Sequence, residues 1–206
     1  MILIGQYDSP FVRRVGIALR LYGMDFEHRP WSVFSDADKI GPLNPLLRVP
    51  TLVLDDGFVL TDSHIILDYL DGLVATPLYP REEPARHKAL FAGTLACGLA
   101  EKAVSLFYEK RLHDVTSPVW VDRCQAQIGG VLAVLEAQRK AQVTPYWLGD
   151  SISHVDTAVA CALRFLAESH GGLFDPGHFP NLHKLAQNLE TTPVFAEISQ
   201  PFIAPA

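Results

Sequence analysis

Apolar positions in the first third of the chain change period several times. Ile2-Leu3-Ile4 is a short, β-branched run that predicts a buried strand. Val12, Val15, Ile17, Ala18, Leu19, Leu21 and Tyr22 then crowd a helical period, and Gly23 supplies a stop. Phe26-Glu27-His28-Arg29 alternates as a short second strand would. Residues 31–45 hold Ser, Asp, Gly and Pro and predict a loop with room for one helical turn. Thr51-Leu52-Val53-Leu54 predicts a strand, Asp55-Asp56-Gly57 a hairpin turn, and Phe58-Val59-Leu60 the return strand. Thr61-Asp62-Ser63 reads as a helix cap ahead of Ile65, Ile66, Tyr69 and Leu70. The order β-α-β-(α)-β-β-α gives a mixed sheet with flanking helices.

Residues 76–85 carry Pro77, Pro80 and Pro84 and mark a boundary, after which strand patterns almost vanish. Residues 85–112 and 118–141 are long helical patterns. Another opens at Ser153, with Asp156 at the third helical position as an acidic variant of the capping box. Residues 181–189 and 193–198 supply the last helices. The expected organisation is α/β followed by all-α: a first domain over 1–76, a linker over 77–84 and a helical domain over 85–206.

The balance of 17 basic and 23 acidic residues among 206, net −6, contains no basic block and argues against nucleic-acid binding. The start, MILIGQYDSPF, lacks the charged and apolar regions of a signal peptide. No charge-free apolar run approaches the ~18 residues of a membrane span. Cys97, Cys124 and Cys161 are odd in number and widely spaced, so they read as buried thiols rather than a zinc site or disulfide framework. The eight histidines show no metal-ligand spacing. A cytoplasmic protein without metal is expected.

Candidate chemistry begins at Asp8-Ser9-Pro10, at the mouth of the first helix. On local pattern alone Ser9 is an N-cap followed by proline at the first helical position. Six segments in order, however, make the chain resemble the glutathione transferase family along almost its whole length: SPFVRRV, NPLLRVPTL, TDSHIILDYL, PLYP, GDSISHVDTAVA and FPNLHKLAQNLETTPVF. The nearest resemblance is to bacterial members with serine in an S-P-F motif. It implies a thioredoxin-like N-terminal domain followed by a helical C-terminal domain, glutathione as co-substrate, no metal, and a homodimer.

The resemblance also implies roles. Ser9 would hold the glutathione sulfur as a thiolate, and Tyr7, near the end of the first strand, is the runner-up donor. A free thiol ionises near pH ~8.5, and lowering that by two units requires about 2.7 kcal/mol of preferential thiolate stabilisation. One charge-assisted hydrogen bond and a helix N-terminus together supply that much. Where related redox proteins resemble C-P-x-C, Ser9 and Val12 leave no thiol, which excludes dithiol chemistry. Val49-Pro50 would form a cis bond that turns the Val49 backbone toward the cysteinyl amide. Asp62 and Ser63 would bind the γ-glutamyl end, and Arg48 the peptide backbone. Leu47 stands where the family pattern N-P-x-G-K-V-P has glycine, a departure near the glycyl end of the ligand. Arg13 and Arg14 are expected in structural ion pairs. Phe11, Trp31, Phe107, Tyr108 and Arg111 are candidates for a second-substrate pocket that the family builds between its domains.

The expected function is a glutathione transferase acting on a small electrophile or peroxide, with no nucleic-acid or membrane partner. Two alternatives stand beside it. One is a non-catalytic ligand- or protein-binding module of the same fold. The other is a glutathione-dependent isomerase, although known isomerases resemble an S-x-x-S start and YDSPF lacks the second serine.

Overall fold

In the computed structural model, which describes residues 1–204, contacts divide the chain into two units. The first contains β1 (Ile2–Ile4), α1 (Pro10–Leu21), β2 (Glu27–Arg29), the single turn α2 (Ala37–Ile40), β3 (Thr51–Val53), β4 (Val59–Thr61) and α3 (Ser63–Gly72). Its sheet runs β2-β1-β3-β4. β1 is parallel to β2, the pairing that requires a crossover, and α1 is that crossover. β3 is antiparallel to β1, with Leu3 opposite Leu52, and β4 returns antiparallel through the expected hairpin. Leu3, Ile4 and Leu52 are fully buried, as are Val12, Val15, Ile17, Ala18 and Leu19 of α1.

The chain end departs from expectation. The helical domain was expected to run to the C-terminus, but the tail from Thr192, including α8 (Pro193–Glu197), packs with the first unit. Arg13 is the cause. It is 2% exposed, donates from Nε to the Ile198 carbonyl at 2.8 Å and from Nη2 to the Phe195 carbonyl at 3.0 Å, and lies over the Phe195 ring. These main-chain carbonyls are acceptors that a pattern of charged residues does not reveal. The first unit also extends to Leu78 rather than ending at 76, because Leu78 N–H donates to the Tyr22 hydroxyl at 2.8 Å. That hydroxyl in turn donates to Asp71 of α3.

The second unit, Tyr79–Thr191, is built from α4 (Ala85–Leu112), α5 (Pro118–Lys140), α6 (His154–Ser169) and α7 (Pro180–Glu190). α4 is long and apolar enough, by length and composition, to cross a membrane. Its Ala89, Ala92, Gly93, Ala96, Ala100 and Ala103 are buried, and it packs against α5 and α6, as the core helix of a bundle does. Cys97, Cys124 and Cys161 are buried and form no disulfide.

The capping box at α6 forms as expected. Ser153 N–H donates to Asp156 Oδ2 at 2.9 Å, and the Ser153 hydroxyl donates to the same oxygen at 2.5 Å. Trp147 N–H adds a bond to Oδ1 at 2.8 Å. Asp156→Ala strands these donors in a site with no solvent access. It should destabilise the protein by about 3 kcal/mol, read as a lowered thermal midpoint, whereas Asp156→Asn should cost less.

Candidate functional site

Ser9 is the N-cap of α1. Its backbone is extended (φ −68°, ψ 121°), Pro10 follows at the first helical position, and Ser9 Oγ accepts from Val12 N–H at 3.4 Å. Pro10 has no N–H to satisfy and its fixed φ suits a helix start, so this sequence begins a helix here at little cost. The cap uses only one lone pair of the hydroxyl. The Ser9 O–H donates to nothing among the described residues and the side chain is half-buried, so the proton remains available to an anion at the helix N-terminus. Capping therefore leaves the donor half of the hydroxyl unspent.

Tyr7 faces elsewhere. Its ring stacks on His28 with centroids 3.8 Å apart, and a Cβ on Gly16 would lie 3.0 Å from Tyr7 Cε1. Burial pushes its phenol up to about 12, with Arg20 pulling the other way and Glu197 adding to the rise. Arg20 lies ten residues beyond Pro10, which at ~1.5 Å per residue is about 15 Å along the helix from the N-terminus. The Tyr7 side chain thus belongs to the packing of α1 against the tail. Tyr7→Phe should leave any thiolate-dependent rate within about threefold of the parent, measured as kcat/KM.

Gly5 joins two parts of the site. It sits between β1 and α1 at φ +125°, where a Cβ would lie 2.5 Å from Val12 Cγ2 and 2.8 Å from Val49 Cβ. Val49 therefore packs beside the first turn of α1. The Val49-Pro50 bond is cis, as the resemblance implies. Asn44, 2% exposed, donates from Nδ2 to the Arg48 carbonyl at 2.8 Å, and the Thr51 hydroxyl donates to the same carbonyl at 3.2 Å. The Arg48 side chain is exposed. Leu47 has φ +51°, so the loop keeps a left-handed residue where the family pattern has glycine, now at the steric cost of a side chain.

Asp62 is the exposed N-cap of α3, also left-handed at φ +70°, and its carboxylate accepts from His64 N–H at 2.8 Å. Strain of this kind in a non-glycine residue clusters at functional sites. Ser63 follows, 3% exposed, and its Oγ accepts from Arg14 Nη1 at 3.3 Å. The first unit thus holds Ser9, Val49, Pro50, Asp62 and Ser63 on the ends of α1, β3 and α3. Sequence reasoning missed Gly5 and the Arg14–Ser63 contact. The one available signal was a glycine directly between a strand and a capped helix.

The remaining candidates fall in both units. Phe11 is half-buried on α1, and Trp31 is half-buried with Arg29 and Lys39 over its ring. In the last turns of α4, Phe107 meets His170 edge-on at 6.3 Å, while Tyr108 and Arg111 are exposed. A separate surface cleft of about 590 Å³ lies along α6 and α7, and none of the expected site residues lines it.

Two histidines, His170 buried and His28 half-buried, set a pH dependence. His28 and His170 each bond through Nε2 to a carbonyl, of Gly5 and Ala103, both at 2.8 Å; a carbonyl only accepts, so Nε2 carries the hydrogen. Burial lowers both pKa values, against the smaller opposing effect of those bonds. The unfolded chain then binds more protons once pH falls below about 6.5, so stability is full above that value and lost as pH falls through the folded pKa values. Denaturant melts at stepped pH should show this slope, and His28→Gln combined with His170→Gln should flatten it.

Residues 3–78 match the family model described as glutathione S-transferase, N-terminal domain, and residues 118–187 the one described as glutathione S-transferase, C-terminal domain. The uncharacterized GST-like protein YibF of Escherichia coli is 31% identical over 206 residues, covering 98% of this chain and 99% of that protein. A probable maleylacetoacetate isomerase of Caenorhabditis elegans is 26% identical over 207 residues, covering 94% and 90%. The crystal structure of a glutathione S-transferase from Methylobacterium radiotolerans in complex with glutathione sulfonate matches with a TM-score of 0.89 at 27% identity, covering 100% of this chain and 98% of that one.

Proposed function

This chain belongs to the glutathione S-transferase family, with that family's thioredoxin-like and helical domains, and we propose that it activates glutathione through the Ser9 hydroxyl. The observation that carries the reading is the unspent O–H of a half-buried serine at the N-terminus of α1, beside the cis-proline loop. Glutathione as the ligand is supported by the glutathione sulfonate complex of the M. radiotolerans relative.

In this reading the Val49 backbone pairs with the cysteinyl amide and Pro50 holds it there. Asp62 takes the α-ammonium and Ser63 the α-carboxylate. Arg48, exposed beside the loop, meets the ligand backbone. The thiolate attacks an electrophilic carbon or a peroxide, and Phe11, Trp31, Phe107, Tyr108 and Arg111 select that second substrate. A homodimer belongs to the same reading: Ile65 and Tyr69 of α3 and its C-cap Leu73, at intervals of four, are exposed apolar side chains that a second copy would cover. A cytoplasmic location goes with it.

Retention on immobilised glutathione together with turnover of an aryl halide tests the reading. Retention without turnover of aryl halides or peroxides favours the non-catalytic module. The likeness to the C. elegans isomerase favours a second reading, cis–trans isomerisation through a transient glutathione adduct. Turnover of a maleyl substrate without conjugation of aryl halides selects it.

A further inference from the structure

We infer that the surface cleft along α6 and α7 is a second small-molecule site, separate from the residues proposed to hold glutathione, and that it takes a flat aromatic ligand carrying a positive charge. The cleft measures about 590 Å³, and small-molecule sites span roughly 300–1,000 Å³. Its origin lies in the sequence. Leu182, Leu185 and Leu189 of α7 are buried in the helical core. On another side of the same two helices the lining is Ala160 and Ala167 of α6 with Ala186 of α7, and side chains this small leave space between the helices. Leu163, 2% exposed, keeps the lining apolar at depth. Phe174 forms an aromatic wall whose orientation is already fixed. Its ring stacks on Phe179 with centroids 6.0 Å apart and planes 9° apart, and Phe179 does not itself line the cleft. The face of such a ring accepts a second flat ring or a cation.

Charge at the cleft is weighted toward the negative. Arg164 lines it, and two carboxylates hold that guanidinium: Glu168 accepts from Nε at 2.9 Å and Glu190 accepts from Nη1 at 3.2 Å. Two anions on one cation leave an excess of negative charge. His183 is the other titratable group on the lining. The end of α7, from Ala186 to the C-cap Thr191, also borders the cleft, and its last turn carries no basic residue. A helix C-terminus is the negative end of its dipole. The carboxylates and the dipole both repel an anion and attract a cation. An aryl ammonium or amidinium satisfies wall and rim together, its ring against Phe174 and its charge toward Glu190.

The test uses a pair of probes matched in size: 9-aminoacridine, a cation at neutral pH, and acridine-9-carboxylate, an anion on the same ring system. Binding to the full chain is measured by equilibrium dialysis, with and without saturating glutathione. The cation should bind saturably and about tenfold more tightly than the anion, and glutathione should not displace it. Ala167→Trp and Ala186→Trp fill the cleft from α6 and from α7 at positions that reach solvent. Each should weaken the cation at least about tenfold while the circular dichroism of the parent is kept. Glu168→Gln combined with Glu190→Gln should erase most of the preference between the two probes. Absence of saturable binding, displacement by glutathione, or equal binding of the two acridines by the parent protein overturns the inference. So does undiminished binding in a folded tryptophan variant. If neither tryptophan variant folds, the double glutamine variant decides, and full retention of the charge preference there overturns the inference.

Discussion

Ser9→Ala should lower kcat/KM for glutathione conjugation by about 10- to 100-fold at neutral pH while changing glutathione affinity by less than about threefold. The lost interaction is a hydrogen bond to an ion, worth about 1.5–3 kcal/mol, which corresponds to one to two pKa units of the bound thiol. The donors at the helix N-terminus remain, so the thiol should not return to its free value. In the proposed reading affinity changes little, because there the serine meets the sulfur, whereas Val49, Asp62 and Ser63 hold the rest of the tripeptide. Ser9 also caps α1 through a long bond of 3.4 Å, so the variant should lose about 1 kcal/mol of stability, a separate effect visible in thermal melts. Initial rates across a range of glutathione concentrations separate kcat from KM.

Gly5→Ala should be the more damaging change to the fold. The added methyl would lie 2.5 Å from Val12 Cγ2 and 2.8 Å from Val49 Cβ, in a backbone conformation that L side chains rarely adopt. Val12 is fully buried and Val49 is anchored before Pro50, so neither can withdraw without moving the first turn of α1 or the cis-proline loop. Overpacking and backbone strain together should cost about 3 kcal/mol or more, a fall in thermal midpoint of about 6–12 °C for a chain of this size. Whatever remains folded should bind glutathione at least about tenfold more weakly, because Ser9 and Val49 no longer keep their relative placement. Ser9→Ala thus affects the rate at nearly constant affinity, and Gly5→Ala affects stability and affinity together.

What the sequence disclosed was local. Ser9-Pro10, Asp55-Asp56-Gly57 and Ser153 with Asp156 are short-range signals, and each stands in the structure as read. What it concealed depends on contacts far apart in the chain. α7 has no side-chain cap of its own at Phe179; Glu136 of α5 accepts instead from the N–H groups of Asn181 and Leu182 at 3.1 and 2.9 Å. Nothing near Phe195 or Ile198 in the sequence announces that Arg13 binds their carbonyls and that the tail packs with the first unit. Arg14 read as a structural charge, and only the fold brings it to Ser63. Tyr7 and Ser9 were competing donors in the sequence. Alternation along a strand end and the turn after it does not reveal that the Tyr7 ring lies toward Gly16 and His28. Leu47 shows the converse: the residue departs from the family pattern while the backbone keeps the left-handed conformation.

The most direct measurement is the pKa of the glutathione thiol when bound, followed by thiolate ultraviolet absorbance at saturating protein. In the parent it should lie below the free value of about 8.5, and in Ser9→Ala it should rise by about one to two units. An identical bound pKa in the two proteins would contradict a thiolate held by the Ser9 hydroxyl.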